Sequence, residues 1–231
     1  MTDRTIVAFL PCRAGSQRVP EKNIRPFAGV EGGLARIKIN QLLAAPEIDI
    51  ILVSTDDAKV VEIAREAQVQ AGDRLQIAER PAHLATSLTS TDELIAHIPS
   101  LVGAGHVLWT HVTSPFVDAA RYSALIAAYW AAIAAGSHDS LMTVTRLQTF
   151  LWNENGPINY DREVEKWPRT QTLPPIYEVN SAAFLAPIET YREQADRIGK
   201  RPLLFELNGV ATLDIDWPDD FELAETIWRG L

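Results

Sequence analysis

The sequence predicts an α/β fold, a single domain over residues 1–231 built on a mostly parallel sheet with helices on both faces. Apolar runs of strand length alternate along the chain with segments of helical periodicity, which is the pattern of βα units. The first two runs are continuously apolar, as strands covered on both faces are. With 231 residues, 47% of them hydrophobic and 22% charged, the chain can bury a sizeable core without disulfides and stands apart from disordered or membrane compositions.

Ile6-Val-Ala-Phe-Leu10 reads as the first strand and Ile50-Ile-Leu-Val-Ser54 as the second, with a helix from Leu34 to Ala45 between them, closed by Pro46. Asp57 is suited to cap a helix whose apolar residues Val60, Ile63, Ala64 and Ala67 recur at helical spacing. Leu94, Ile95, Ile98, Leu101 and Val102 repeat that spacing before a strand from Val107 to His111. Ala119 to Ala135 reads as a long helix, Leu141 to Thr145 as a strand, and Leu223, Ala224, Ile227 and Trp228 as the inner face of a terminal helix starting near Pro218. The longest apolar stretch, Ala124 to Ala135, is too short to cross a bilayer and contains Tyr129 and Trp130, so it is expected in the core. No targeting segment is visible from Met1 onward, which points to a cytoplasmic protein without a membrane partner.

Residues 146–175 break the alternation. They are rich in Trp, Asn, Pro and charge, and Asn155-Gly156 reads as a hairpin turn. Phe150, Leu151, Trp152 and Trp167 call for burial, so the stretch is expected to leave the sheet as an active-site flap or a dimerisation arm.

The net charge of −9 argues against nucleic acid as a general partner. It also conceals an asymmetry. Residues 1–38 hold seven bases against three acids, whereas Asp214, Asp216, Asp219, Asp220, Glu222 and Glu225 form an acidic run with no base among them. A single cysteine, Cys12, leaves no internal disulfide and no cysteine-cluster metal site. No histidine nearby would activate its thiol, so it is expected to pack behind the loop that follows.

That loop, Leu10 to Asn23, comes directly after the first strand, where open α/β sheets place their ligands. Gly15 and Ser16 permit a tight turn whose amides can face an anion, and Arg13, Arg18 and Lys22 surround it. This is chemistry for a polyphosphate, although the loop is neither a Walker A nor a dinucleotide fingerprint. At the other end, Asp214 and Asp216 stand two apart. In an extended segment they share a side and can converge on one hard cation, for which Mg²⁺ is the natural choice; capping of the terminal helix is the alternative role open to Asp216.

Arg13-x-Gly15-Ser16-x-Arg18-Val-Pro20-x-Lys22-Asn23-Ile24 resembles the signature loop of the acylneuraminate cytidylyltransferase family, the CMP-sialic acid synthetases and their relatives acting on pseudaminic, legionaminic and Kdo-type sugars. Val53-Ser-Thr-Asp-Asp57, Arg80-Pro-Ala-His-Leu-Ala85, Thr113-Ser-Pro115, Leu173-Pro174 with Asn180, and the segment from Asp214 to Ala224 agree in order. The resemblance implies a Rossmann-like nucleotidyltransferase fold with a dimerisation arm, and a homodimer. It further implies transfer of CMP from CTP to the anomeric hydroxyl of an eight- or nine-carbon 3-deoxy-2-ulosonic acid, with pyrophosphate released, in surface-glycan assembly.

By the same resemblance Arg13, Lys22, Asp214 and Asp216 are the catalytic set. Cys12, Arg13, Ala14, Gly15, Ser16, Arg18, Lys22, Asn23, Arg80, Ser90 and Thr91 border the nucleotide, and Asp214 and Asp216 hold the metal. His111, Arg169, Gln171, Asn180 and Phe184 are the expected sugar contacts. Departures cluster on the acceptor side: His111 stands where the family has Gln, Thr170 where it has Arg, Ser181 where it has Gly and Phe184 where it has Tyr, while Gln17 replaces a common Lys in the loop. The reaction type is thus better determined than the sugar. An acceptor carboxylate still needs a cationic or multi-donor partner, for which Arg169, His111 and Gln171 are the candidates, though His111 also suits a structural role at a strand end. A different acceptor, such as a small sugar acid or a phosphonate, or a non-catalytic nucleotide-binding homologue, are the competing readings.

Overall fold

The structure, a computed structural model, describes residues 4–231. Met1 to Asp3, on which the expectation of no targeting segment partly falls, lie outside the described residues. The strands are β1 (Ile6–Cys12), β2 (Ile50–Thr55), β3 (Leu75–Glu79), β4 (His106–Thr110), β5 (Ser140–Leu147), β6 (Trp152–Asn153), β7 (Gly156–Pro157), β8 (Ile176–Pro187) and β9 (Pro202–Glu206). The α-helices are α1 (Gly33–Leu43), α2 (Ala58–Ala71), α3 (Thr91–Leu101), α4 (Ala119–Ala134), α5 (Ile188–Gln194) and α6 (Pro218–Arg229).

Seven strands form one sheet in the order β3-β2-β1-β4-β8-β5-β9, and only β8 runs antiparallel to its neighbours. Alternation along β1 explains how both faces are covered. Ile6, Ala8, Leu10 and Cys12 enter one core with residues of α1, α2, α4 and α6, while Val7 and Phe9 enter a second with residues of α3 and α5. Asp57 caps α2 through the Lys59 amide as its position predicts. The apolar stretch becomes α4, with Tyr122, Leu125, Ile126 and Tyr129 buried, and no described helix is long and apolar enough to cross a membrane.

Between β5 and β8 the chain leaves the sheet and forms the small β6–β7 hairpin. Trp152 pairs with Pro157 and Asn153 with Gly156, which makes Glu154-Asn155 the turn and shifts it one residue from the expected Asn155-Gly156. Phe150 packs edge-on against Tyr160 and Trp167, so the excursion has its own aromatic cluster, yet Trp152 and Trp167 stay 49% and 64% exposed.

Candidate active site

The 13–23 loop emerges from the end of β1 and is pinned from both sides. The Ala14 amide donates to the Asp56 carboxylate beyond β2 (2.9 Å), and the Asn23 side chain donates to the Arg13 carbonyl (3.0 Å). Gly15 has φ +70° with open space where a Cβ would stand, so its conformation and not crowding calls for glycine. Beside the loop lies a cleft of about 360 Å³, lined by Arg13, Ser16, Arg18, Lys22 and Asn23 and, from the end of β4, by His111 and Thr113. A wider hollow of about 650 Å³ along α2 and β3 offers one base, Arg65, against the acids Asp56 and Glu79, which suits a polyphosphate poorly.

The acidic segment closes onto this cleft. The Ile215 amide donates to the Thr113 carbonyl (2.9 Å), and Lys22 Nζ donates to the Ile215 carbonyl (2.7 Å) and lies 3.6 Å from Asp216. Arg18 forms an ion pair with Asp216 at 3.0 Å while its guanidinium rests over the Trp217 ring. Capping of α6 falls to Asp220, which accepts from the amides of Asp216 and Trp217, so neither Asp214 nor Asp216 is needed for it. Glu225 accepts from the Ala28 amide and pairs with Arg229.

Asp214 and Lys22 are the electrostatically unusual pair. Burial raises the Asp214 carboxyl above the usual carboxylate range, with a Thr113 hydrogen bond opposing and the neighbouring Asp216 charge adding to the shift. Its Oδ1 is buried without a hydrogen-bond partner. Burial lowers the Lys22 ammonium, and Asp216 and Asp214 oppose that. A buried carboxylate oxygen left without a donor, beside a second carboxylate, fits a divalent cation. No group of three or more His, Cys, Asp or Glu is gathered for a metal among the described residues. A two-carboxylate site accords with Mg²⁺, which completes its shell from water and phosphate oxygens.

Other expected nucleotide neighbours have structural partners. Cys12 is fully buried in the core, its thiol pushed up to about 12 mainly by burial, so it is not a nucleophile. Arg80 is buried and donates to the Ser54 carbonyl (3.0 Å). Ser90 caps α3 in a reciprocal box with Glu93, and Thr91 is exposed at the first turn.

On the acceptor side the residues separate. His111 accepts from the Trp109 indole (3.0 Å) and is pushed down to about 3, first by burial and then by the charges of Arg197, Lys22 and Lys38, so it stands in the cleft wall as a neutral ring. Arg169 and Gln171 are exposed on the excursion, where the Gln171 carbonyl accepts from Gln148. Asn180 bonds to Thr145 and accepts from the Ala182 amide, supporting Ser181 in a left-handed conformation of φ 57°, the conformation that a glycine at this position would favour. Phe184 is buried in the second core, beneath the Arg197 guanidinium.

Two residues that no local motif flags complete the surroundings. Lys38 on α1 is wholly buried, and its Nζ donates to the carbonyls of Ser114 (2.8 Å) and Val117 (2.9 Å), clamping the segment that carries Thr113. Arg197 follows α5 and reaches back to the rings of Phe184 and Trp109. In the sequence Lys38 is one polar residue among several on α1, with Arg36, Asn40 and Gln41, and nothing in the sequence ties Arg197 to β4.

A family model described as Cytidylyltransferase matches residues 7–228. A pseudaminic acid cytidylyltransferase of Campylobacter jejuni is 21% identical over 229 residues, with 96% of each chain covered. An N-acylneuraminate cytidylyltransferase of Escherichia coli is 26% identical over 236 residues, with 96% of this chain and 52% of the relative covered. Among solved structures, a CMP:2-keto-3-deoxy-manno-octonic acid synthetase complexed with CTP shares the fold at TM-score 0.66 and 14% identity, covering 98% of this chain and 99% of that one. A 4-diphosphocytidyl-2C-methyl-D-erythritol synthase of Anaerococcus prevotii does so at 0.61 and 13%, covering 98% and 96%. With a basic loop at the end of β1, an acidic pair facing it and a family match over almost its whole length, the chain belongs to the cytidylyltransferase family of CTP-dependent nucleotidyltransferases.

Proposed function

We propose that the protein transfers CMP from CTP to the anomeric hydroxyl of a 3-deoxy-2-ulosonic acid and releases pyrophosphate. The observation that carries this reading is the contact between the basic loop and the acidic segment, where Lys22 reaches both the Ile215 carbonyl and Asp216 at the mouth of β1 and β4. The names of the Campylobacter, Escherichia and octonic acid relatives, all acting on acids of this class, support the choice of acceptor.

In the reaction the acceptor oxygen attacks the α-phosphorus and gives its proton to solvent water, while the bond to the bridging oxygen breaks with the electron pair leaving on pyrophosphate. Arg13, Arg18, Lys22 and the amides around Gly15 neutralise the charge that grows on the leaving group. Asp214 and Asp216 would hold Mg²⁺, which when bound supplies further neutralisation of phosphate charge. Thr113 and the Ile215 amide fix the acidic pair against the end of β4, so the geometry does not have to be assembled when substrate arrives.

The excursion supports a homodimer as the working form. Trp152, Ile158, Val164 and Trp167 are exposed there, at 49%, 51%, 84% and 64%, an apolar set that a second copy would cover.

The experiment is pyrophosphate release from CTP and Mg²⁺ across N-acetylneuraminic, legionaminic, pseudaminic and Kdo acids. Release with at least one acid is expected, and release with none would overturn the reading. Light scattering at micromolar concentration should give the dimer mass, and a monomer would refute the dimer.

A further inference from the structure

Resting on the proposed function, the geometry points to Arg197 as the residue that grips an acidic group of the acceptor, through a guanidinium laid on the Trp109–Phe184 floor next to His111. Arg197 lies in the segment between α5 and β9, and its guanidinium carbon stands 3.6 Å from the Phe184 ring centroid and 5.3 Å from that of Trp109. Phe184 and Trp109 are register partners on β8 and β4, so the cation rests across these two strands. Trp109 in turn donates to His111, which lines the cleft itself.

Three observations separate this arginine from a structural one. First, no carboxylate lies within ion-pair distance of its guanidinium among the described residues. Asp196, beside it in sequence, directs Oδ1 to the amides of Arg197 and Ile198. The other buried or half-buried cations of the region have their donors engaged: Lys22 by the Ile215 carbonyl and Asp216, Lys38 by the carbonyls of Ser114 and Val117, and Arg80 by the Ser54 carbonyl. Second, burial is the main influence on Arg197 and lowers it, opposed by the carboxylates of Asp196 and Asp92 from beyond ion-pair distance, so a partly desolvated cation stands here with no carboxylate in contact. Third, the hydroxyl of Tyr191, buried in the same core, has no hydrogen-bond partner.

A guanidinium with several unspent N–H donors on an aromatic floor is built for a planar carboxylate. The acceptor class carries a carboxylate next to its anomeric carbon. His111, held neutral, supplies no charge to it, and Arg169 and Gln171 are exposed on the excursion, so Arg197 takes the role for which those three were the candidates.

The test compares wild-type, Arg197→Met and Arg197→Lys proteins with the four acids and their methyl esters, by turnover and by calorimetric binding to the CMP-saturated protein. For the acid that wild type uses, Arg197→Met should raise KM about 10- to 100-fold and leave KM for CTP within about twofold. The preference of wild type for acid over ester should collapse in Arg197→Met, and Arg197→Lys should fall between. Turnover by Arg197→Met with an unchanged acid KM and ester discrimination would overturn the assignment and leave the proposed function standing. Binding of an acid by wild type that Arg197→Met loses, without turnover by wild type, would sustain the assignment and overturn the function. Absence of any acid binding by wild type would overturn the assignment. An Arg197→Met protein that does not fold passes the decision to Arg197→Lys, whose acid KM must rise if the planar fork matters.

Discussion

Arg18 and Asp216, 198 positions apart in sequence, meet at 3.0 Å. Both side chains are nearly half exposed, so the pair adds little to stability. Its meaning is positional: the basic excess near the start of the chain and the acidic run near its end are two sides of one cleft.

The acidic pair should therefore matter for turnover and not for folding. Asp214→Asn is expected to lower CMP transfer at least about 100-fold. It should leave the thermal midpoint equal to or above that of wild type, because the buried Oδ1 has no hydrogen-bond donor and its charge is costly to hold. Turnover rates and melting curves on the same preparation check both halves.

Lys38 should behave in the opposite way. Lys38→Met keeps the length of the side chain but leaves the Val117 carbonyl without its donor and the Ser114 carbonyl with only the Val117 amide. Denaturant unfolding should show a loss of about 1–3 kcal/mol, the cost of one buried acceptor left unsatisfied.

His111 gives a pH signature. Its folded pKa, pushed down to about 3 chiefly by burial, lies below the unfolded value near 6.5. The unfolded chain therefore takes up the proton first as pH falls, and stability is lost from about pH 6.5 downward towards 3. By pH 5 the loss attributable to this residue should be about 1–2 kcal/mol. His111→Gln, which retains an acceptor for the Trp109 indole, should show a shallower fall over that window when unfolding is measured at pH 7 and pH 5. Equal slopes in the two proteins would contradict the assignment of a buried neutral ring.

Ser181 stands at φ 57°, a conformation that costs a residue with a Cβ about 1–2 kcal/mol. Ser181→Gly relieves that strain and gives back part of it as backbone entropy, so its unfolding free energy should rise by up to about 1 kcal/mol. A decrease would mean that the serine hydroxyl contributes a contact that outweighs the strain.

Much of this architecture is legible in the sequence because the relevant signals are local. The strand runs at Ile6 and Ile50, the cap at Asp57, the proline at the start of α6 and the basic turn around Gly15 each depend on neighbours a few residues away. β8 was not visible as a strand, since its twelve residues mix exposed Glu178 and Val179 with buried Ala182 to Ala186 and are interrupted at Ser181. β3 is not legible because Leu-Gln-Ile-Ala-Glu is short and only weakly apolar at an edge. Within the site, the loop and the acidic pair could be read because each is a compact pattern. Lys38 and Arg197 could not, because what makes them notable is the absence of a carboxylate partner, and that is a property of the folded surroundings.

The central claim is that the Arg13–Asn23 loop and the Asp214–Asp216 segment together form a CTP site. Calorimetric titration of CTP with Mg²⁺ into wild-type and Lys22→Met proteins tests it most directly. The account predicts saturable binding by wild type and at least about tenfold weaker binding by Lys22→Met, the loss of one charge-assisted contact. Absence of CTP binding by wild type, or equal affinity in the two proteins, would contradict it.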